Sequence, residues 1–447
     1  MAVDKVITNT SIVTMGPAKN VIKKGFVAID GNKIVDVDCI TKFKKPPSAK
    51  IRIEAKGMVT LPGLINTHVH LYQNFLKGMQ GASSLVEWCD KGLFPFVRIM
   101  KDPKFKKLGI GYHASLMACL EMIKSGTTCC AAFDFDPGVP KAIEESRMRA
   151  IFMPFLADQW APKDLLLERE KRLKETELLL EKWHDPESRI RCMVALAAPF
   201  ICSDELMLEA KKIADKFGVG LAMHILETQY EARVASETYG KKVLEHLEEI
   251  KLLNEKFLAI HCVWVDDNDI QIMKEHDVKV SHNPESNMRL ASGVAPVPKM
   301  LSKGLTVGLA TDGAASNDNL DMFEAMRAAL MLHRVTTLDP SIISPQKVLE
   351  MATIDAAKTL GLDREIGSIE IGKNADLTIV DMRKPHLQPV WDLVSNLVLC
   401  ANGADVDTVI VDGEILMKRR KLTRLNESDV MSKSLEIMKR IEICKGV

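Results

Sequence analysis

Residues 66–70 read Asn66-Thr67-His68-Val69-His70, inside the stretch "VTLPGLINTHVHLYQ". In a strand, residues two apart face the same side, so His68 and His70 present their imidazoles together. Four later apolar runs also close on a polar residue: "GLAMH" on His224, "FLAIH" on His261, "VKVSH" on His282 and "TVGLATD" on Asp312. Only 11 histidines occur in the chain, and five of them stand at these run ends. Imidazole suits zinc, iron or nickel, and a single carboxylate adds charge. His68, His70, His224, His261 and Asp312 thus make a candidate shell for one divalent metal, zinc first and iron as the alternative, with room for a water. His113, His184, His246, His276, His333 and His386 fall on helices or loops, and most are expected to be surface or packing residues.

A metal lowers the pKa of water from about 16 toward about 7. Asp312 can bind the metal and accept the water's proton, and His282 is the candidate to orient or polarise that water. Glu227 follows His224 by three residues, in "HILE". That step can place its carboxyl beside the metal and outside its shell. A glutamate so placed can protonate a ring nitrogen and shuttle a proton to departing ammonia, which is deaminase chemistry.

These side chains need a scaffold that gathers strand ends. Between residues 61 and 362, helical stretches alternate with short apolar runs, about eight in all, from "GLINTHVH" to "LTVGLATDG". Apolar strands alternating with helices imply a parallel sheet covered on both faces. Eight such units predict an α/β fold of the (β/α)8 type, a TIM-like barrel, whose active site lies at the carboxyl ends of the strands. Residues 1–60 and 363–447 instead alternate apolar and polar residues, as short antiparallel strands do. Gly31-Asn32 and Asp412-Gly413 mark hairpin turns. Neither end closes a sandwich alone, so the two ends are expected to join in one small β-sandwich, with the barrel inserted between them. Asp164–Lys182 reads as a long charged helix. "ESDVMSKSLEIMKRIEICKG" reads as an amphipathic terminal helix that packs within the chain.

Composition bounds the partners. Of 447 residues, 47% are hydrophobic, and Lys+Arg and Asp+Glu are equal at 60 each. That balance carries no footprint for nucleic acid or a membrane surface. The start lacks an apolar signal region, and no apolar run approaches about 18 residues. Ten scattered cysteines without a CxxC read as reduced thiols of a cytoplasmic protein.

The stretches "LPGLINTHVH", "MHILET", "AIHCVWV", "VSHNPESNMRLASGVAPVPKML", "LATDGAASNDNLDMFEAMR" and "GSIEIGKNADLTIVD" together resemble the amidohydrolase superfamily, in its aminohydrolase and chlorohydrolase branch. That branch includes S-adenosylhomocysteine/methylthioadenosine deaminases and s-triazine hydrolases. The resemblance spans nearly the whole chain. It implies the same metal positions, proton-handling roles for Glu227 and His282, and a homo-oligomer. No lysine stands at the end of "CMVALAAP" to bridge two metals, which favours one.

The branch divides by substrate. Its S-adenosylhomocysteine deaminases carry a glutamate just after a Pro to grip the ribose, an arginine ending the third strand and a histidine ending the fourth. The matching stretches here are "LFPFVRIM", with Phe96 and Val97, then Pro154 or Phe155, and Ala197. The nucleoside grip is thus largely absent. The s-triazine group is the closer comparison in "GVAPVPKM" and "KVLEMATID". Gln73, Trp88 and Ser316 fall where that group lines its pocket; Asn287 is the fourth substrate-binding candidate. Retention of Glu227 and His282 favours an amine over chloride as leaving group. The expected activity is hydrolytic deamination of an amino-substituted nitrogen heteroaromatic ring. The rivals are deamination of S-adenosylhomocysteine, methylthioadenosine or 5′-deoxyadenosine, triazine dechlorination, and a non-catalytic scaffold.

Overall fold

A computed structural model describes residues 2–18, 21–78, 84–166 and 168–445. The amino-terminal end supplies β1 (Val3–Val13), β2 (Val21–Asp30), β3 (Lys33–Cys39), β4 (Ala49–Glu54) and β5 (Met58–Pro62). The middle supplies β6 (Leu64–Val69), β7 (Thr127–Asp134), β8 (Arg149–Leu156), β9 (Ile190–Cys192), β10 (Val194–Leu196), β11 (Leu221–Ile225), β12 (Phe257–His261), β13 (Lys279–His282) and β14 (Val307–Leu309). The far end adds β15 (Leu377–Asp381), β16 (Val406–Val411), β17 (Glu414–Lys418) and β18 (Lys421–Leu422).

The middle strands pair in parallel, in the order β6-β7-β8-β10-β11-β12-β13-β14, with β9 beside β8. Met193 separates β9 from β10, so the fourth barrel run is a broken strand. The seam between β14 and β6 is closed by individual bonds. Asn66 Nδ2 donates to Thr311 Oγ1 at 2.7 Å, and the Asp312 amide donates to the His68 carbonyl at 3.1 Å. The interior is filled by layers of apolar side chains, among them Ile65, Ala131, Met153, Ala195, Ala222 and Ile260, as a packed barrel requires.

Both chain ends join in one mixed sheet, β18-β17-β16-β15-β5-β1-β2-β3, with β4 also on β1. β15 pairs with β5 and so ties the two ends together. Two pairings depart from the antiparallel expectation: β4 and β5 both run parallel to β1. Alternation in sequence fixes which face a residue takes, and it carries no information about strand direction. Both hairpins form where the turn residues lie. Asp412 and Gly413 each take positive φ, 53° and 75°, between the paired Val411 and Glu414.

The charged helix starts later than expected, at Arg169, and Asp164 lies ahead of it in an ion pair with Arg98. The terminal helix Glu427–Lys445 does pack within the chain, with Ile437 and Ile441 in one apolar cluster with Ile110 and Ala114. The nine cysteines with described side chains are all unpaired.

Candidate active site

His68 is the penultimate residue of β6, His70 follows the strand, His224 and His261 lie on β11 and β12, and Asp312 lies just past β14. Parallel strands bring all five to one mouth. His68 Nε2 lies 3.3 Å, and His70 Nε2 3.5 Å, from Asp312 Oδ1; His261 Nε2 lies 3.9 Å from Asp312 Oδ2. The rings of His68 and His224 are 4.9 Å apart, and those of His224 and His261 5.4 Å. His261 and Asp312 adopt φ of 71° and 64°, a left-handed backbone that His and Asp tolerate better than bulkier residues. Such strain gathers at functional sites, where surrounding structure fixes it.

Three outer nitrogens are already engaged. His70 Nδ1 meets the Phe133 carbonyl at 2.6 Å, His224 Nδ1 the Ala197 carbonyl at 2.6 Å, and His261 Nδ1 the Asn287 Oδ1 at 2.8 Å. Each such acceptor takes the Nδ1–H, fixes the tautomer and leaves a bare Nε2 lone pair toward the centre. His68 is fully buried, and neither of its nitrogens has a hydrogen-bond partner. A buried imidazole with nothing to bond, among others sharing its centre, fits a metal ligand. Two overlapping groups, His68-His224-His261 and His68-His70-Asp312, keep their ligand atoms within 4.8 Å of one another. Burial, aided by His68, pushes His70 down to about 3, and burial also holds His224 well below its ordinary value, so both rings stay neutral. Burial opposes charge on Asp312, but the approach of the His68 ring and the neighbouring His70 and His261 rings outweigh that and hold it well below the usual carboxylate range. The Gly313 amide, at 2.6 Å, and the Ser286 and Ser316 hydroxyls, at 2.7 and 3.0 Å, donate to its oxygens.

Glu227 sits beside this group with Oε2 3.5 Å from His261 Nε2, and the Ser292 hydroxyl donates to its Oε1 at 3.2 Å. It is buried, and burial raises its pKa. A cavity opens over the histidines, walled largely by aromatic and aliphatic side chains. Gln73, Trp88 and Ser316 lie on its wall. Trp88 donates its indole N–H to the Ala315 carbonyl at 3.1 Å. Gln73 can approach closely because residue 313 is glycine: a Cβ there would stand 2.1 Å from Gln73 Oε1. Asn287 is placed differently. It backs the His261 ring and is absent from the cavity wall. His282 is also set back: its Nε2 meets His333 Nε2 at 3.2 Å, and no hydrogen bond or ion pair with Asp312 is seen among the described residues. Of the residues at the missing nucleoside grip, Val97, Phe155 and Ala197 reach the wall, whereas Phe96 and Pro154 are absent from it.

Two residues escaped the sequence reading. His333, expected as packing, is the buried partner of His282; its helix, Met322–Thr337, gave no sign of which strand end it would meet. Glu231 lies buried on the cavity wall, with its pKa pushed up to about 7 by burial and by Glu227. Its signal is the run Thr228-Gln229-Tyr230-Glu231, a capping box that folds Glu231 back onto the Thr228 amide at 3.1 Å.

The sequence pattern of the amidohydrolase family matches residues 59–416. A 5′-deoxyadenosine deaminase of Methanosarcina mazei is 42% identical over 96% of both chains. A 5-methylthioadenosine/S-adenosylhomocysteine deaminase of Syntrophus aciditrophicus is 37% identical over 98% of both. Among solved structures, an adenosine deaminase from Xanthomonas campestris with bound zinc superposes with a TM-score of 0.92 at 26% identity, over 99% of both chains. A triazine hydrolase variant matches with a TM-score of 0.91 over 97% of this chain and 99% of its own, at 22% identity, a likeness of fold alone. The chain belongs to the amidohydrolase family, as a metal-dependent hydrolase of carbon–nitrogen bonds that deaminates amino-substituted heteroaromatic rings.

Proposed function

We propose that the substrate is an adenosine-type nucleoside modified at its 5′ position, and that the metal is a single zinc held by His68, His70, His224, His261 and Asp312. The observation that carries the substrate reading is the pair of relatives at 42% and 37% identity, both nucleoside deaminases over nearly their whole lengths. The bare-ring preference drawn from Phe96 and Val97, Pro154 or Phe155, and Ala197 gives way on this ground. The cavity also keeps two buried acceptors without partners, Gln73 Oε1 and Glu231 Oε2, that suit sugar hydroxyls.

When bound, the metal supplies the acidity that makes water a nucleophile near neutral pH. Asp312 takes one proton from the attacking water, whose oxygen bonds to the carbon bearing the amine. Glu227, whose burial favours the protonated form, gives its proton to the adjacent ring nitrogen and so draws charge away from the attacked carbon. As the carbonyl forms, Glu227 regains a proton from the new hydroxyl, and Asp312 passes its proton to the amine. The carbon–nitrogen bond breaks, and ammonia leaves. Neutral His282, held by His333, lies behind this group as a positioning residue.

No described helix is long and apolar enough to cross a membrane. The reading includes a cytoplasmic homo-oligomer; exposed Met331, Val335 and Leu338, along one helix and its end, suit self-association. The deciding experiment measures ammonia release by the zinc-loaded protein from 5′-deoxyadenosine, methylthioadenosine, guanine, cytosine and melamine. Turnover of the nucleosides is expected. Release from the bare rings alone would overturn the nucleoside reading.

A further inference from the structure

Past the catalytic group, the cavity runs along a stack of aromatic rings. The Phe133 ring lies 5.4 Å from His70, and Phe155 stacks on Phe133 at 5.3 Å. Beyond them stands a cation. The Arg172 guanidinium carbon is 6.0 Å from the Phe155 ring centre and 5.9 Å from that of Phe135. Arg172 comes from the helix Arg169–Trp183, and its side chain is only 17% exposed. Its ion pair is with Glu175, at 3.5 Å, a residue 42% exposed and thus largely hydrated. Lys101 shares the place, its Nζ donating to the Leu165 carbonyl at 2.5 Å. Both cations line the active-site cavity and also an adjoining hollow that contains Asp136 and Glu175.

A guanidinium has five donors in a planar fork, and one carboxylate at 3.5 Å leaves most of them unused. Apolar walls weaken solvent screening, so an anion arriving here gains more than it would at an open surface. A neutral substituent would gain no comparable contact. The ring to be deaminated belongs at the histidines, two ring layers away, so only an arm extending from the far side of the substrate can reach Arg172.

We propose that Arg172, with Lys101 beside it, seats an anionic group at the end of the substrate's 5′ arm, and that the enzyme therefore favours 5′ substituents ending in a carboxylate over neutral ones. This inference rests on the nucleoside reading above. It assigns Arg172 as a specificity-determining residue, remote from the reacting atoms.

The test compares S-adenosylhomocysteine, whose arm ends in an amino acid, with methylthioadenosine, which shares the nucleoside and thioether and lacks that end. The wild-type zinc enzyme should show a kcat/KM at least about tenfold higher for S-adenosylhomocysteine. In Arg172→Met that ratio should fall about tenfold or more, through KM for the charged substrate, and Arg172→Lys should keep part of it. The wild-type protein offers a second readout: added salt should raise KM for S-adenosylhomocysteine more than for methylthioadenosine. A wild-type ratio near one, or a ratio unchanged in Arg172→Met, would overturn the inference alone. Turnover of neither nucleoside, with ammonia released from a bare ring, would overturn the nucleoside reading and this inference with it.

Discussion

Glu227 and Asp312 are both buried carboxyl groups within reach of His261, yet their surroundings drive them apart. Asp312 receives a backbone amide and two hydroxyls and stays ionised. Glu227 receives one hydroxyl at 3.2 Å, and burial dominates, so it holds its proton more readily. Two acids with pKa values pushed in opposite directions are suited to opposite roles, base and acid. Glu227→Gln should therefore keep the metal, since residue 227 lies outside the proposed shell, and lose deamination by about 10²–10⁴-fold, the usual worth of a general acid. Metal content by atomic absorption and ammonia release together check this. Near-normal turnover would remove Glu227 from the mechanism.

Among elements, the barrel and the end sheet are joined by a buried ion pair. Arg149, at the start of β8, donates Nε to Asp376 Oδ2 at 2.8 Å and Nη2 to Asp412 Oδ1 at 3.2 Å, with side-chain exposures of 5%, 2% and 23%. Asp376 precedes β15 and Asp412 lies in the β16–β17 turn, so a single arginine gathers three segments. The Asp412 amide also donates to Asp376, at 2.7 Å. Removing the arginine would leave Asp376 charged, buried and uncompensated. Arg149→Met is expected to cost about 3–5 kcal/mol. Adding Asp376→Asn should recover part of that loss in a denaturant titration. A cost below about 1 kcal/mol in the single variant would show that the two units hold together without this pair.

For the whole molecule, the proposed metal site draws on strands far apart in sequence, so ligation should stabilise the entire barrel. A ligand that binds only the folded state adds about 2.7 kcal/mol when present at a hundred times its dissociation constant. Chelation should lower the thermal midpoint and abolish ammonia release, and added zinc should restore both. An unchanged midpoint after complete metal removal would mean that the histidines do not hold a structural load. The closing bonds of the seam, Asn66 to Thr311 and His68 to Asp312, lie at the same site, so its loss should also loosen the β14–β6 junction.

Much of this was legible in the residues themselves. Period-two spacing put His68 and His70 on one face, and each strand's apolar run pointed to the polar residue at its end, because parallel strands align their carboxyl ends. Gly31-Asn32 and Asp412-Gly413 marked their hairpins through local backbone chemistry alone. Other features depend on which surfaces meet. Strand direction at β4 and β5, the pairing of His282 with His333, the placing of Asn287 behind His261, and the reach of Arg172 over Phe155 each join segments whose sequences say nothing of one another. Local preference and periodicity act within a few residues, so the sequence alone determined the barrel and which polar strand ends meet at its mouth. Only the packed tertiary structure decided what stands behind the histidines and what waits at the far end of the cavity, because contacts between distant segments are fixed by the whole core at once.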